Sequence, residues 1–234
     1  VLTTQPSLAR LLLTAGRDLY EHTSRLIPAN LLWGTAAVAW VSLLLLWPPV
    51  LVVVLAPLLV LPVVAVFRLA ACITRGRDVR LSGAFRFTRT FVAPALLTGT
   101  VISLGVVASV TYVGFGIGFG GLIGAGIATV GGWGMVATAL VALTFLPLLA
   151  DPDREAQPLR TKLRLAGLVI LTAPAKSAGF GVVVAVILVA STIAFPALLT
   201  VSIAYSACVA VRVVLPLADR LDAPLAERGY SDRG

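Results

Sequence analysis

The chain is poor in charge, and poorest where charge would do chemistry. Only 12% of its 234 residues are Asp, Glu, Lys or Arg, about half the share of an ordinary soluble domain. Hydrophobic residues make up 59%, and the mean hydropathy is +1.03. Such a chain cannot cover a globular surface with polar groups, which argues against a soluble enzyme, a nucleic-acid-binding module or a disordered tail. His22 is the single histidine, and Cys72 and Cys208 are the only cysteines. Neither a clustered zinc site nor a disulfide framework is expected from so few. No metal and no cofactor is predicted. Ser103 and Ser109 have no visible base beside them, so nucleophilic catalysis has no support.

The charges that do occur fall into four clusters, running from Arg10 to Arg25, Arg68 to Arg89, Asp151 to Lys176, and Arg212 to Arg233. Between them lie charge-free stretches at 26–67, 90–150 and 177–211, of 42, 61 and 35 residues. None holds a carboxylate or histidine, which argues against proton- or ion-coupled transport, where such a group sits inside the bilayer. A hydrocarbon core about 30 Å thick takes roughly 20 helical residues to cross. Each stretch is therefore read as two crossings with an uncharged turn: at Pro48-Pro49, at Gly114 to Gly121, and at Phe195-Pro196.

The expected architecture is an all-α integral membrane protein of six transmembrane helices in three hairpins, near 29–47, 50–71, 91–112, 122–148, 177–195 and 197–215. Five is the alternative if Phe195-Pro196 only kinks one long helix. Both termini are placed in the cytoplasm, because a net charge of +8 concentrated at one face follows the positive-inside rule. The divisions are an N-terminal amphipathic segment at 1–28, one polytopic domain at 29–215 and a cytoplasmic tail at 216–234. The first apolar stretch, from Ile27, exceeds the h-region of a signal peptide, so none is expected.

Three further segments read as amphipathic helices on the cytoplasmic interface. Residues 8–26 align Leu8, Leu11, Leu12, Ala15, Leu19 and Leu26. Residues 81–92 align Leu81, Phe85, Thr88 and Val92, and residues 159–171 align Leu159, Leu163 and Ala166. The basic residues Arg68, Arg75, Arg77, Arg80, Arg86, Arg89, Arg160, Lys162 and Arg164 are the candidate contacts for a cytoplasmic partner or for anionic lipid. For Arg68, and for Lys176 at the head of the fifth helix, snorkelling to the surface is favoured over a ligand role.

The run Gly116-Ile-Gly118-Phe-Gly120-Gly121 matches GxGxxG formally. It lacks the preceding strand and the acidic residue about 20 positions on that a dinucleotide site requires. Gly114, Gly116, Gly118, Gly120 and Gly124 are read instead as a turn combined with close helix packing. Ser202, Tyr205 and Ser206 share one helix face, suited to packing or to a polar path.

Several local sequences together resemble a known family. They are Asn30-Leu31-Leu32-Trp33, Leu61-Pro62 leading into Arg68, Arg75-Gly76-Arg77-Asp78, and Phe85-Arg86-Phe87-Thr88-Arg89-Thr90-Phe91. In this order they resemble the YesL-like family of small bacterial membrane proteins, whose biochemical function is unknown. The layout agrees over residues 15–215 and the specific part over 25–95; the family's Gly-Pro-Ala-like step stands here as Leu61-Pro62-Val63. The resemblance implies a bacterial plasma-membrane location and genomic proximity to carbohydrate-uptake ABC importers. Residues 72–89 and 151–176 lack a permease's Glu-Ala-Ala-type coupling motif, so a non-enzymatic accessory component is expected ahead of a full permease. The alternatives are a structural or assembly subunit of a larger membrane complex and a membrane enzyme acting on lipid or lipid-linked sugar, with Asp78, Asp151 and Asp153 its candidate carboxylates.

Overall fold

The computed structural model describes residues 7–46, 54–77, 80–193 and 201–227. The expected turns at Pro48-Pro49 and Phe195-Pro196 lie outside them, as do Asp78 and the side chain of Arg89. The described residues are helical and contain no strand. The helices are α1 (Leu8–Glu21), α2 (Thr23–Leu46), α3 (Val60–Thr74, entered through a 3-10 turn at Ala56–Leu59), α4 (Leu81–Thr90) and α5 (Val92–Phe119). They continue with α6 (Gly121–Ala150), α7 (Leu159–Thr172), α8 (Pro174–Ile193) and α9 (Ile203–Glu227).

Among the described residues, four segments are long and apolar enough to cross a membrane: Thr23–Leu43, Ala56–Thr74, Val92–Phe119 and Gly121–Ala150. A fifth follows if α7 and α8, bent by 100° at their junction, count as one broken span. At 1.5 Å per residue the 28 and 30 residues of α5 and α6 make helices about 42–45 Å long. That exceeds the hydrocarbon thickness, a mismatch relieved by tilt. Their outer faces carry Leu104, Phe115, Leu122 and Trp133 exposed, Leu122 to 91%. An apolar surface this large is stable only against lipid or another protein.

The α5–α6 hairpin is tighter than the sequence suggests. Helix α5 continues through Gly114, Gly116 and Gly118, and only Gly120 and Gly121 leave it, with φ of +70° and +62°, a region closed to most side chains. The glycines divide by use. A Cβ on Gly116 would stand 2.5 Å from the Ala128 nitrogen and from the Gly124 oxygen, and one on Gly131 would stand 2.7 Å from the Ser109 oxygen. These positions let the two backbones approach. Gly114 and Gly118 face open space and take no part in that contact.

Helix α3 is the centre of the bundle, with Val64, Ala65, Val66, Phe67, Leu69, Ala70, Ala71 and Cys72 all buried. A helix that is apolar on every side is one surrounded by protein. It lies against α9, whose small residues Ala204, Ala207, Cys208 and Ala210 are equally buried. Helix α9 runs unbroken across position 215, from Ile203 to Glu227.

The amphipathic segments do form helices, and they dock on the bundle. On α1 Leu8, Leu11, Leu12, Ala15 and Leu19 pack on the core as expected, but the helix ends at Glu21 and Leu26, read as part of the same stripe, is buried on α2. On α4 the buried residues are Ala84 and Phe87, with Phe85 only partly covered. On α7 it is Lys162, Leu165, Ala166 and Val169, while Leu163 is exposed.

Candidate functional site

The charged ends of α3, α6 and α9 converge. Helix α3 stops at Gly76, whose φ of +67° permits the left-handed helix cap. The Arg77 amide there donates to the Cys72 carbonyl at 2.8 Å. The turn projects Arg75 and Arg77 from the end of the helix. Helix α6 stops at Asp151, whose Oδ1 accepts from the Asp153 amide at 3.1 Å and so caps the short 3-10 turn Pro152–Arg154. Helix α9 supplies Asp219 and Asp222, three positions apart on one face.

Arg75 is the hub. Its Nη2 lies 2.7 Å from Asp151 Oδ2, its Nη1 2.8 Å from Asp219 Oδ2 and its Nε 3.1 Å from Asp153 Oδ2. Arg154, itself buried, pairs with Asp151, with Asp219 at 2.7 Å and with Asp222 at 3.0 Å. Arg77 pairs with Asp153. Arg68 pairs with Glu155 and donates to the Ala150 carbonyl at 3.1 Å, satisfying one acceptor at the C-terminal end of α6. Asp151 is fully enclosed, with 0% exposure, and would be untenable there as an unpaired anion. Two guanidinium groups and a backbone amide compensate it.

This pairing shifts the ionisation of its members. The Asp219 carboxylate, accepting hydrogen bonds, holds the Arg75 guanidinium above its ordinary range against the opposing effect of burial, with Asp151 adding to it. Arg154 is also raised: burial pulls it down, and Asp219 and Asp151 outweigh that. Burial alone would raise the Asp219 carboxyl, but hydrogen bonds from Arg75 and Arg154 bring it below the usual carboxylate range.

Beside this network lies an aromatic step. Phe87 and Phe91 stack with centroids 4.4 Å apart; the Arg68 guanidinium sits 4.1 Å above the Phe87 ring and Lys162 Nζ lies 5.6 Å from Phe91. Both cations are within reach of a ring face. Lys162 is fully buried, and its Nζ has no hydrogen-bond partner among the described residues.

The candidate cations thus divide. Arg68 and Arg75 turn to carboxylates of the charged end, Arg68 to Glu155 and Arg75 to Asp151, Asp153 and Asp219. Lys162, expected on the surface, is enclosed. Arg77 stays exposed while paired with Asp153. Arg80, Arg86, Arg160 and Arg164 are exposed on the same charged end. The sequence reading singles out neither Arg154 nor Asp219 and Asp222 as site residues.

A second inter-helix clasp joins α1 to α9. Asp18, buried, accepts from Arg212 Nη2 at 2.7 Å and also pairs through Nε. The Tyr205 hydroxyl donates to the Leu12 carbonyl at 3.2 Å. Asn30 Oδ1 accepts from the Ala204 amide at 2.8 Å. Ser202 and Ser206, on the same face as Tyr205, are buried.

Chemically, the charged end is a clamp. Asp151 and Asp153 are both engaged by arginines. Among the described residues no group of His, Cys, Asp and Glu is placed to hold a metal ion. Comparison with protein-family models, with curated proteins and with solved structures finds no match.

Proposed function

We propose that this chain is a non-enzymatic, polytopic component of the bacterial plasma membrane, acting as an accessory subunit to an ABC-type importer of solutes, carbohydrate in particular. The observation that carries the reading is the division of cations at the charged end. The arginines needed to tie α3, α6 and α9 together face inward, and Arg80 and Arg160 face out. A rigid end with outward basic groups suits a soluble, acidic partner surface. The resemblance to YesL-like proteins supplies the importer as that partner.

The proposed topology is six crossings with both termini inside. In support of this, Lys176 at the head of α8 lines the same cleft as Arg212 and Arg220 of α9, the arrangement expected if the chain leaves along α8 and comes back into α9. The pairs α2–α3 and α5–α6 return likewise. Helix α7, bent 100° from α8, is read as lying along the interface.

Purification from native membranes, with identification of co-purifying proteins, tests the reading. Recovery of importer permease or ATPase subunits supports it. Their reproducible absence contradicts it.

The exposed apolar faces of α5 and α6, with Gly114 and Gly118 open on them, favour a second reading as an assembly subunit packed within the bilayer. A stable monomer at native expression contradicts that version.

A further inference from the structure

We infer that the junction of α7, α8 and α9 forms a binding groove for the phosphate headgroup of an anionic phospholipid. Two clefts of about 230 Å³ and 480 Å³ lie side by side, with Lys176, Leu217 and Arg220 lining both. Along α9 the groove wall is built from residues spaced by four, Arg212, Pro216 and Arg220 beside Val213, Leu217 and Leu221, which is one helix face.

Charge on this face is not balanced. Arg212 is held by Asp18. Lys176 and Arg220 are exposed and pair with no carboxylate among the described residues, while the neighbouring Asp219 and Asp222 are committed to Arg75 and Arg154. Two uncompensated cations therefore flank the groove. The positive end of the α8 dipole opens on it as well, with Pro174 in the first turn.

The rest of the lining decides which anion fits. Apart from Thr74 and Thr172 it is aliphatic, with Leu11, Val213, Leu217 and Leu221 the larger side chains. A soluble phosphate or sugar phosphate would gain nothing from such a floor, whereas an acyl chain would cover it. The groove also sits where the charged end gives way to the apolar length of α8, which in the proposed topology is the level of the lipid phosphates. The occupant is thus a lipid, held at the phosphate by Lys176 and Arg220 and along its chain by the aliphatic wall. This inference stands apart from the proposed importer partner.

The test uses the full chain in neutral detergent and native mass spectrometry, titrating phosphatidylglycerol against phosphatidylcholine of the same acyl chains. Phosphatidylglycerol is expected to bind more tightly. K176Q and R220Q should each weaken it about 5-fold and the double variant about 30-fold, the effect of about 1 kcal/mol per basic residue at a membrane surface. The matched control R10Q/R17Q should stay within about 2-fold, since neither position lines the groove, and K176R should bind as the unaltered chain does. Excess sn-glycerol 3-phosphate should not displace the lipid. Equal affinity for both lipids, an unaltered double variant, or displacement by sn-glycerol 3-phosphate would overturn the inference, the last in favour of a soluble anion.

Discussion

Arg75 and Asp151, 76 positions apart, close the charged end of the bundle through two hydrogen bonds, Nη2 to Oδ2 at 2.7 Å and Nε to Oδ1 at 3.2 Å. The pair joins the last turn of α3 to the end of α6, and Asp219 draws α9 onto the same guanidinium. Buried ion pairs add little net stability over an apolar pair, but removing one partner strands the other at high cost. D151N should therefore destabilise the protein by roughly 3–5 kcal/mol. Tryptophan-fluorescence melting in detergent reads this, with R17Q, on an exposed pair, shifted by less than about 1 kcal/mol.

The same network makes stability depend on acid. Asp219 has its carboxyl depressed in the folded protein, so its contribution is complete above its unfolded pKa of about 4. That contribution is lost as pH falls below this value through the folded one. The melting temperature of the unaltered chain should fall steeply below about pH 4. D219N, less stable at neutral pH, should show a shallower acid limb, and parallel limbs would contradict the assignment.

Lys162 runs the other way. Its amine is enclosed without a hydrogen-bond partner among the described residues, a cost of roughly 1–3 kcal/mol for a polar group. Methionine keeps the length and volume of the side chain. K162M is expected to raise the melting temperature, and a lowered one would show that the attraction of Asp151, Glu155 and Phe91 outweighs desolvation.

The α5–α6 hairpin separates two glycines only two positions apart. G116A forces a methyl group against the backbone of α6 and should cost roughly 1–3 kcal/mol. G118A meets open space and should be neutral or slightly stabilising, because alanine is the better helix former. Comparable melting temperatures for the two variants would contradict the packing described.

Much of the helical layout was legible, because the cost of a charge in lipid leaves long uncharged stretches that the helices then occupy. Finer features depend on tertiary register. The GFGIGFGG run reads as a broad turn, yet the chain breaks only at Gly120-Gly121, since glycines inside a membrane helix are held by the neighbour they let approach. Arg154, Asp219 and Asp222 look like ordinary loop and tail charges, and nothing local announces that residues 65 and 68 positions apart will meet. Lys162 did leave a signal, sharing the stripe of Leu165, Ala166 and Val169 at helical spacing. The stripe through Leu159 and Leu163 competed with it, and only the packing of α7 on α6 and α9 decides between them.

Sidedness underlies both the proposed partner surface and the six-crossing topology, and cysteine labelling in intact cells tests it most directly. Cys72 and Cys208 are buried and free, so the background should be silent. With a membrane-impermeant maleimide, G118C near the α5–α6 tip should react from outside and R160C on the charged end should react only after permeabilisation. Labelling of R160C in intact cells, with G118C protected, would contradict the account.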